Sequence, residues 1–390
     1  MQVVRAGRLI DGTGAEAQQD RALYVLDRHI HEVGPGSRIP SDADVLDLRD
    51  CTVLPGLVDA HVHLAFSAST NALADVLADD DQMLLLRGVA AARQALRAGI
   101  TTVRDLGGRG GVTFRLRDAI ANEIIAGPRI LAAGAPITIT GGHCHFLGTE
   151  ADGESAVRAA ARAQLKAGAD CLKVMATGGR MTPGTNTLMA QYTVAELAAA
   201  VEEAARARVP LAAHALGTAG ISNATAAGVT TIEHCNWLGP EGNVEFDESV
   251  AREMAARDIA VVATLTPLQR SAPALRDDVI GCMRRMRELG VMFVAGTDAG
   301  TSLMPFDSLP RELEILVEQV GFTPLDAIHA ATGGSARVLG LSSVGTLEPG
   351  RLADMIAVEG DPSVRIQDLR LVKVVMRDGA AVAENGLLLR

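Results

Sequence analysis

The chain has 390 residues, 48% of them hydrophobic and 21% charged, which is enough to bury a large core and too apolar for extended disorder. Its 47 acidic residues outnumber 36 basic ones for a net charge of −11, the wrong sign for a general binder of phosphate backbones, so no nucleic-acid partner is expected. Five scattered cysteines, Cys51, Cys144, Cys171, Cys235 and Cys282, never form a CxxC pair, which argues against a disulfide framework or a zinc knuckle and for a reducing compartment.

Residues 1–54 are Val-rich, with turn signals at Asp11-Gly12 and Gly34-Pro35 and little helical periodicity, the pattern of short antiparallel strands. Arg5, Arg8 and Asp11 interrupt the opening stretch, so no secretory signal is expected and the chain reads as cytoplasmic. Eight strand-like runs then follow, at 53–61, 101–105, 129–136, 169–176, 209–214, 230–234, 259–265 and 291–298. Most are continuous apolar runs, as expected of strands covered on both faces. Between them, apolar residues at three- and four-residue spacing predict helices over 81–98, 154–167, 194–208 and 276–289. This alternation predicts a (β/α)8 TIM barrel over 55–344. Residues 345–390 revert to the strand pattern, with turns at Pro349-Gly350 and Asp378-Gly379, and are expected to join 1–54 in one composite β-sandwich domain. The longest uncharged run, 209–232, could span a bilayer by length. It carries His214, Asn223 and many Gly, Ser and Thr residues, so it reads as buried structure and no membrane partner is expected.

Nine histidines include three HxH pairs: His29/His31, His61/His63 and His143/His145. In a strand this spacing puts both rings on one face, which suits a metal and equally suits an ordinary half-exposed strand. His29/His31 lies between Arg28 and Glu32 in the N-terminal region and reads as a surface strand. His61/His63 ends the first barrel strand, on the face where barrel active sites are built. Lys173 lies in the fourth run, and His214, His234 and Asp298 end the fifth, sixth and eighth. A catalytic metal site needs at least three protein ligands, and these residues converge on one end of the predicted barrel.

The motifs around them resemble the amidohydrolase superfamily over nearly the whole chain. They are Pro55-Gly56-Leu57-Val58-Asp59-Ala60-His61-Val62-His63, Gly99-Ile100-Thr101-Thr102-Val103-Arg104-Asp105, Leu172-Lys173-Val174-Met175-Ala176-Thr177-Gly178-Gly179, Thr231-Ile232-Glu233-His234, Ala295-Gly296-Thr297-Asp298-Ala299-Gly300 and the closing Gly345-Thr346-Leu347-Glu348-Pro349-Gly350-Arg351-Leu352-Ala353-Asp354. Within that superfamily the chain is most similar to prolidase-like dipeptidases, lysine/arginine carboxypeptidases and ochratoxin-type amide hydrolases, with imidazolonepropionase a further relative. The resemblance implies two divalent metals: His61, His63 and Asp298 on one, His214 and His234 on the other, with a carboxylated Lys173 bridging them. Zinc is the first expectation, although the same ligand types suit cobalt, manganese or iron. Two dications roughly 3.5–4 Å apart would present hydroxide as nucleophile and polarise the scissile carbonyl, with Asp298 as the catalytic proton shuttle.

The implied reaction is hydrolysis of an amide bond in a small peptide or N-acyl amino acid. A cyclic amide, carbamate, ester or xenobiotic amide is the alternative, and a non-catalytic metal-binding barrel a remote one. His143, in a Thr-Gly-Gly-His motif like the family's, is expected to face the substrate, with His145 beside it. Arg180, in the loop 178–186, is a candidate for a substrate carboxylate, and Gln191 and Tyr192 close that loop. Cys144 reads as a buried filler. Two departures matter. Leu216 stands where carboxypeptidase relatives carry a tyrosine, which weakens a strict carboxypeptidase reading. Gly217 stands where superfamily deaminases carry a glutamate, which disfavours a deaminase. The expected partner is a small amide substrate, and the sequence leaves a homo-oligomer open.

Overall fold

The structure, a computed structural model, describes residues 1–389. Its centre is a ring of parallel strands. Leu57–Val62 pairs with Ile100–Asp105, which pairs with Arg129–Ala132. Leu172–Met175, Leu211–Gly217, Thr231–Leu238 and Ala260–Val262 follow in sequential parallel register. The third run is not continuous: it breaks after Ala132 and resumes as Ile137–Thr138, and this second piece pairs with Leu172–Met175. The eighth run, 291–298, closes the ring through single contacts rather than a ladder. On one side Val261 donates to Met292 O and Val294 to Val261 O; on the other Ala60 donates to Ala295 O and His63 to Ala299 O. Local chemistry explains the missing ladder. A Cβ at Gly296 would sit 3.0 Å from His61 N, and Thr297 N donates to the Asp59 carboxylate instead of a neighbouring strand. Helices on the outside include Asp81–Arg97, Glu154–Lys166, Val194–Ala207 and Pro273–Glu288. Their starts are set by side chains where the sequence supplies them: Asp80 accepts from Met83 N, Thr193 and Glu196 form a reciprocal capping box, and Pro273 opens the last of the four.

The first predicted run, 53–61, spans two layers. Residues 53–55 belong to the long strand Asp44–Pro55 of the terminal sheet, and the barrel strand begins at Leu57. Gly56 is the joint, because a Cβ there would lie within 3 Å of three Thr101 side-chain atoms. Both ends of the chain contribute to one eight-stranded sheet, with Gln2–Leu9 parallel to Asp44–Pro55 and Met355–Glu359 antiparallel to the latter. One face of this sheet encloses its own core, in which Val4, Ala6, Leu23 and Val25 meet Met355, Ala357, Val374 and Met376 at the period-two spacing of strands. Among the described residues no helix is long and apolar enough to cross a membrane.

Candidate active site

At the C-terminal end of the ring, His61, His63, Lys173, His214, His234 and Asp298 line a cavity of about 280 Å³. A larger open cleft of about 960 Å³ lies on the flank of the molecule, lined by Arg97, Arg270, Arg311 and Arg370 among others, and it contains none of these histidines. The rings form a chain around the cavity. Centroids of His61 and His63 are 5.3 Å apart, His61 and His234 5.2 Å, His234 and His214 4.6 Å, and His214 and His143 4.6 Å.

Each ring is held from behind. His61 Nδ1 lies 2.7 Å from Glu233 Oε2, His63 Nδ1 3.3 Å from Gly107 O, His234 Nδ1 2.7 Å from Thr264 Oγ1, and His214 Nε2 3.1 Å from Gly178 O. Behind Glu233 stands Arg104, 0% exposed, whose Nη2 donates to Glu233 Oε1 at 3.0 Å while Nε donates to Ala60 O at 2.6 Å. Asp59 ties the first and eighth strands together, accepting from Thr297 Oγ1 at 2.6 Å, Thr297 N at 3.1 Å and His61 N at 3.2 Å. Asp298 Oδ1 then lies 3.4 Å from His61 Nε2 and 3.3 Å from His63 Nε2.

A family model described as the amidohydrolase family matches residues 52–382. The chain belongs to the amidohydrolase family. It is therefore an enzyme, a hydrolase of carbon–nitrogen bonds in a family that uses divalent metals. Ochratoxinase of Aspergillus niger is 30% identical over 95% of this chain and 82% of its own length. Its crystal structure superimposes with a TM-score of 0.86 over 99% of this chain and 96% of that one. Imidazolonepropionase of Salinispora tropica is 26% identical over 96% of both chains. The crystal structure of a Xaa-Pro dipeptidase with bound methionine is 31% identical, with a TM-score of 0.88 over 98% of this chain and 100% of that one.

The amidohydrolase site has the chemistry of a cation cradle. Burial depresses the pKa of His61 to about 3 and that of His234 to about 4, and it puts His214 well below its ordinary value, so these rings are neutral near pH 7. With its Nδ1 on Glu233, the neutral His61 ring turns a bare Nε2 lone pair inward. Burial alone would raise the Asp298 carboxyl, but the imidazoles of His63, His61 and His234 outweigh it and hold the group well below the usual carboxylate range. His61, His63 and Asp298 each offer one ligand atom, all within 4.8 Å of one another, an arrangement that a divalent cation satisfies. Lys173 is 2% exposed and makes no hydrogen bond or ion pair among the described residues. Burial lowers its pKa to about 8, and its charge is felt by His61, His143, His214 and His234.

The expected substrate-facing residues divide. His143 lines the cavity, with Nδ1 2.9 Å from Thr182 Oγ1. Arg180 stands at the same cavity, exposed, with Nη1 donating to Ser271 Oγ at 3.2 Å. His145 is exposed and off the cavity: Cys144 between the two histidines has φ 58°, and the turn it makes carries the second ring away from the first. Gln191 supports the site from behind, its Oε1 accepting from His143 N and its Nε2 donating to Met175 O and Thr138 Oγ1. Tyr192 is buried in the main core and donates its hydroxyl to Ala151 O. His29 and His31 are exposed on the strand His29–Pro35.

Arg104, Asp59, Glu233 and Thr264 received no role from the sequence. For Arg104 and Glu233 a signal was present. Each is a charged residue inside a run expected to be a barrel strand covered on both faces, and such residues are almost never fully buried unless paired.

Proposed function

We propose that this amidohydrolase cleaves the amide bond of a small peptide or N-acyl amino acid. In this reading His61, His63 and Asp298 hold one divalent cation, His214 and His234 a second, and a carboxylated Lys173 lies between them. The observation that carries it is Lys173: a buried amine with no hydrogen-bond or ion-pair partner among the described residues, its pKa lowered toward neutrality by burial, beside the neutral imidazoles of His61, His214 and His234. An amine is carboxylated in its neutral form, and a buried carbamate needs the counter-charge that two cations bring. When bound, the cations polarise the scissile carbonyl and lower the pKa of water between them.

The protein's own groups move the proton. Asp298, ionised at neutral pH, accepts a proton from the attacking water as its oxygen bonds to the carbonyl carbon; it then gives that proton to the leaving nitrogen as the C–N bond breaks. Glu233 and Thr264 keep the His61 and His234 rings from turning during this cycle. His143, fixed by Thr182 and Gln191, presents its ring to the substrate. Ochratoxinase, imidazolonepropionase and the Xaa-Pro dipeptidase all support the reading in kind. A second substrate class, cyclic amides, carbamates, esters and xenobiotic amides, is favoured by the cavity wall. Met175, Met181, Leu216, Pro267 and Leu268 make it apolar, and Arg180, its one arginine, is exposed and already bonded to Ser271.

The test is release of free amino acid from dipeptides and N-acyl amino acids by protein loaded with zinc or manganese in bicarbonate buffer. Release with a side-chain preference supports the first class. No release from protein holding two metals, with turnover of a cyclic amide or carbamate, moves the assignment to the second.

A further inference from the structure

Thr264 has φ 48° and ψ 54°, the left-handed region that a β-branched residue occupies only when its surroundings impose it. It follows the seventh barrel strand, and this conformation brings its Oγ1 to 2.7 Å from His234 Nδ1. The next two residues show what imposes it. Leu265 N donates to Glu312 Oε1 at 2.6 Å, Thr266 N to Glu312 Oε2 at 2.8 Å, and Thr266 Oγ1 to the same oxygen at 2.7 Å.

Glu312 comes from Leu309–Ile315, the helix after the eighth strand, and is 1% exposed. It forms no ion pair among the described residues; its neighbour Arg311 turns instead to Glu314 at 2.9 Å. A buried carboxylate with three donors from one dipeptide and no cation is dedicated to holding that dipeptide. The same segment is anchored further along, where Arg270 Nη1 donates to Ser302 O at 2.6 Å and Nη2 to Leu303 O. Residues 264–270 are therefore clamped at both ends to the chain that carries Asp298.

We infer that Glu312 is a positioning residue: by clamping Leu265 and Thr266 it holds Thr264 in its left-handed turn and so fixes the His234 ring with Nδ1 on Thr264 and Nε2 free toward the cavity. The inference rests on the reading of His234 as a metal ligand. Groups behind a ligating histidine set ring orientation and metal retention, and their loss typically weakens metal binding about 10–100-fold. Glu312 touches neither substrate nor His234, so its effect passes wholly through the turn.

The experiment compares wild type, Glu312→Gln, Thr266→Val, Thr264→Val and Thr264→Ser. Each protein is stripped, reloaded with Zn²⁺ and titrated with a chromophoric chelator; the stripped, ¹⁵N-histidine-labelled proteins give the ring signals. The expected result is about 10–100-fold weaker retention of one zinc equivalent in Glu312→Gln and Thr264→Val. Thr266→Val should show a smaller loss and Thr264→Ser wild-type retention, with the His234 signal moved in the first three variants only. Wild-type zinc retention and an unmoved His234 signal in folded Glu312→Gln would overturn the inference. If Glu312→Gln does not fold, Thr266→Val decides: it removes one donor to Glu312, and an unmoved His234 signal there overturns the inference equally. Both readouts are taken without substrate, so failure to hydrolyse any amide counts against the proposed function and leaves this result standing.

Discussion

Glu233→Gln is the substitution whose consequences the structure constrains most tightly. Glu233 and Arg104 are both 0% exposed, and their ion pair at 3.0 Å has no water-facing side. Glu233 also accepts from Thr231 Oγ1 at 2.5 Å and faces His61 Nδ1 at 2.7 Å. Burial would raise its pKa, but the Arg104 charge outweighs this and holds the carboxyl far below its ordinary range, so Glu233 is ionised at any pH the fold survives. Glutamine keeps the shape and removes the charge, leaving an arginine that cannot deprotonate buried without a counter-ion. Breaking such a pair from one side costs about 3–5 kcal/mol. At roughly 2 °C per kcal/mol for a chain of this size, the melting temperature should fall by about 6–10 °C. Differential scanning calorimetry of the metal-free proteins reads this directly. The double variant Glu233→Gln with Arg104→Met removes both charges of the pair and should recover part of the loss, a coupling of about 1–3 kcal/mol. A shift below about 2 °C in the single variant, or strict additivity in the double one, would show that packing rather than charge holds this layer.

Asp298→Asn should retain most bound metal, because the amide oxygen still faces His61 and His63, and lose about 10²–10⁴-fold in kcat with the proton carrier gone; Lys173→Ala should lose metal by elemental analysis. Unchanged turnover in the first, or full metal content in the second, would remove that residue from its role. Arg180→Ala should raise KM more for substrates with a free carboxylate than for their amides, and an equal effect would assign Arg180 to Ser271 alone. Glu203 is bonded by Arg162 and Arg158, with Arg206 nearby, and these hold its pKa at about 2, below the ordinary value of about 4.3. A depressed carboxylate contributes stability above its unfolded pKa and loses it as pH falls through the folded one. The melting temperature of Glu203→Gln should accordingly lie furthest below wild type above about pH 4.5 and converge with it toward about pH 2; a gap constant with pH would refute the assignment.

What could be read from sequence follows from how the information is stored. Strand–helix alternation is written in apolar periodicity, so the barrel, its four long helices and the polar residues at its strand ends were legible. Gly56 and Gly296 were not read as structural joints, because what excludes a side chain there is a neighbour distant in sequence, Thr101 in one case and His61 in the other. His143 and His145 were both expected to face the substrate from the loop after the third strand, and the left-handed Cys144 separates them. Tyr192 was placed by its nearness to a loop, but its hydroxyl finds Ala151 O, 41 residues away in sequence, and the ring goes into the core. Pairings of this kind carry no local pattern.

The backbone at this end of the barrel is strained as well. His234, Cys235 and Trp237 in the sixth strand, Thr264 after the seventh and Asp298 in the eighth all have positive φ, between 48° and 68°. Each left-handed non-glycine residue costs about 1–2 kcal/mol, so five of them at one end of one barrel are not neutral drift around a packing optimum. The same end gives up sheet hydrogen bonds: the eighth run has no ladder, and Thr297 N is satisfied by Asp59 instead. Strain of this sort persists only where surrounding contacts over-determine it, and those contacts are the residues the motifs left without a role: Asp59 beneath Asp298, Arg104 and Glu233 behind His61, Glu312 beneath Thr264 and His234. The proposed ligand set and its supporting layer are thus two halves of one arrangement. Replacing a supporting residue should leave most of the barrel intact and release the strand end it holds, which is why metal retention and ring orientation, rather than overall folding, are the quantities that report on it.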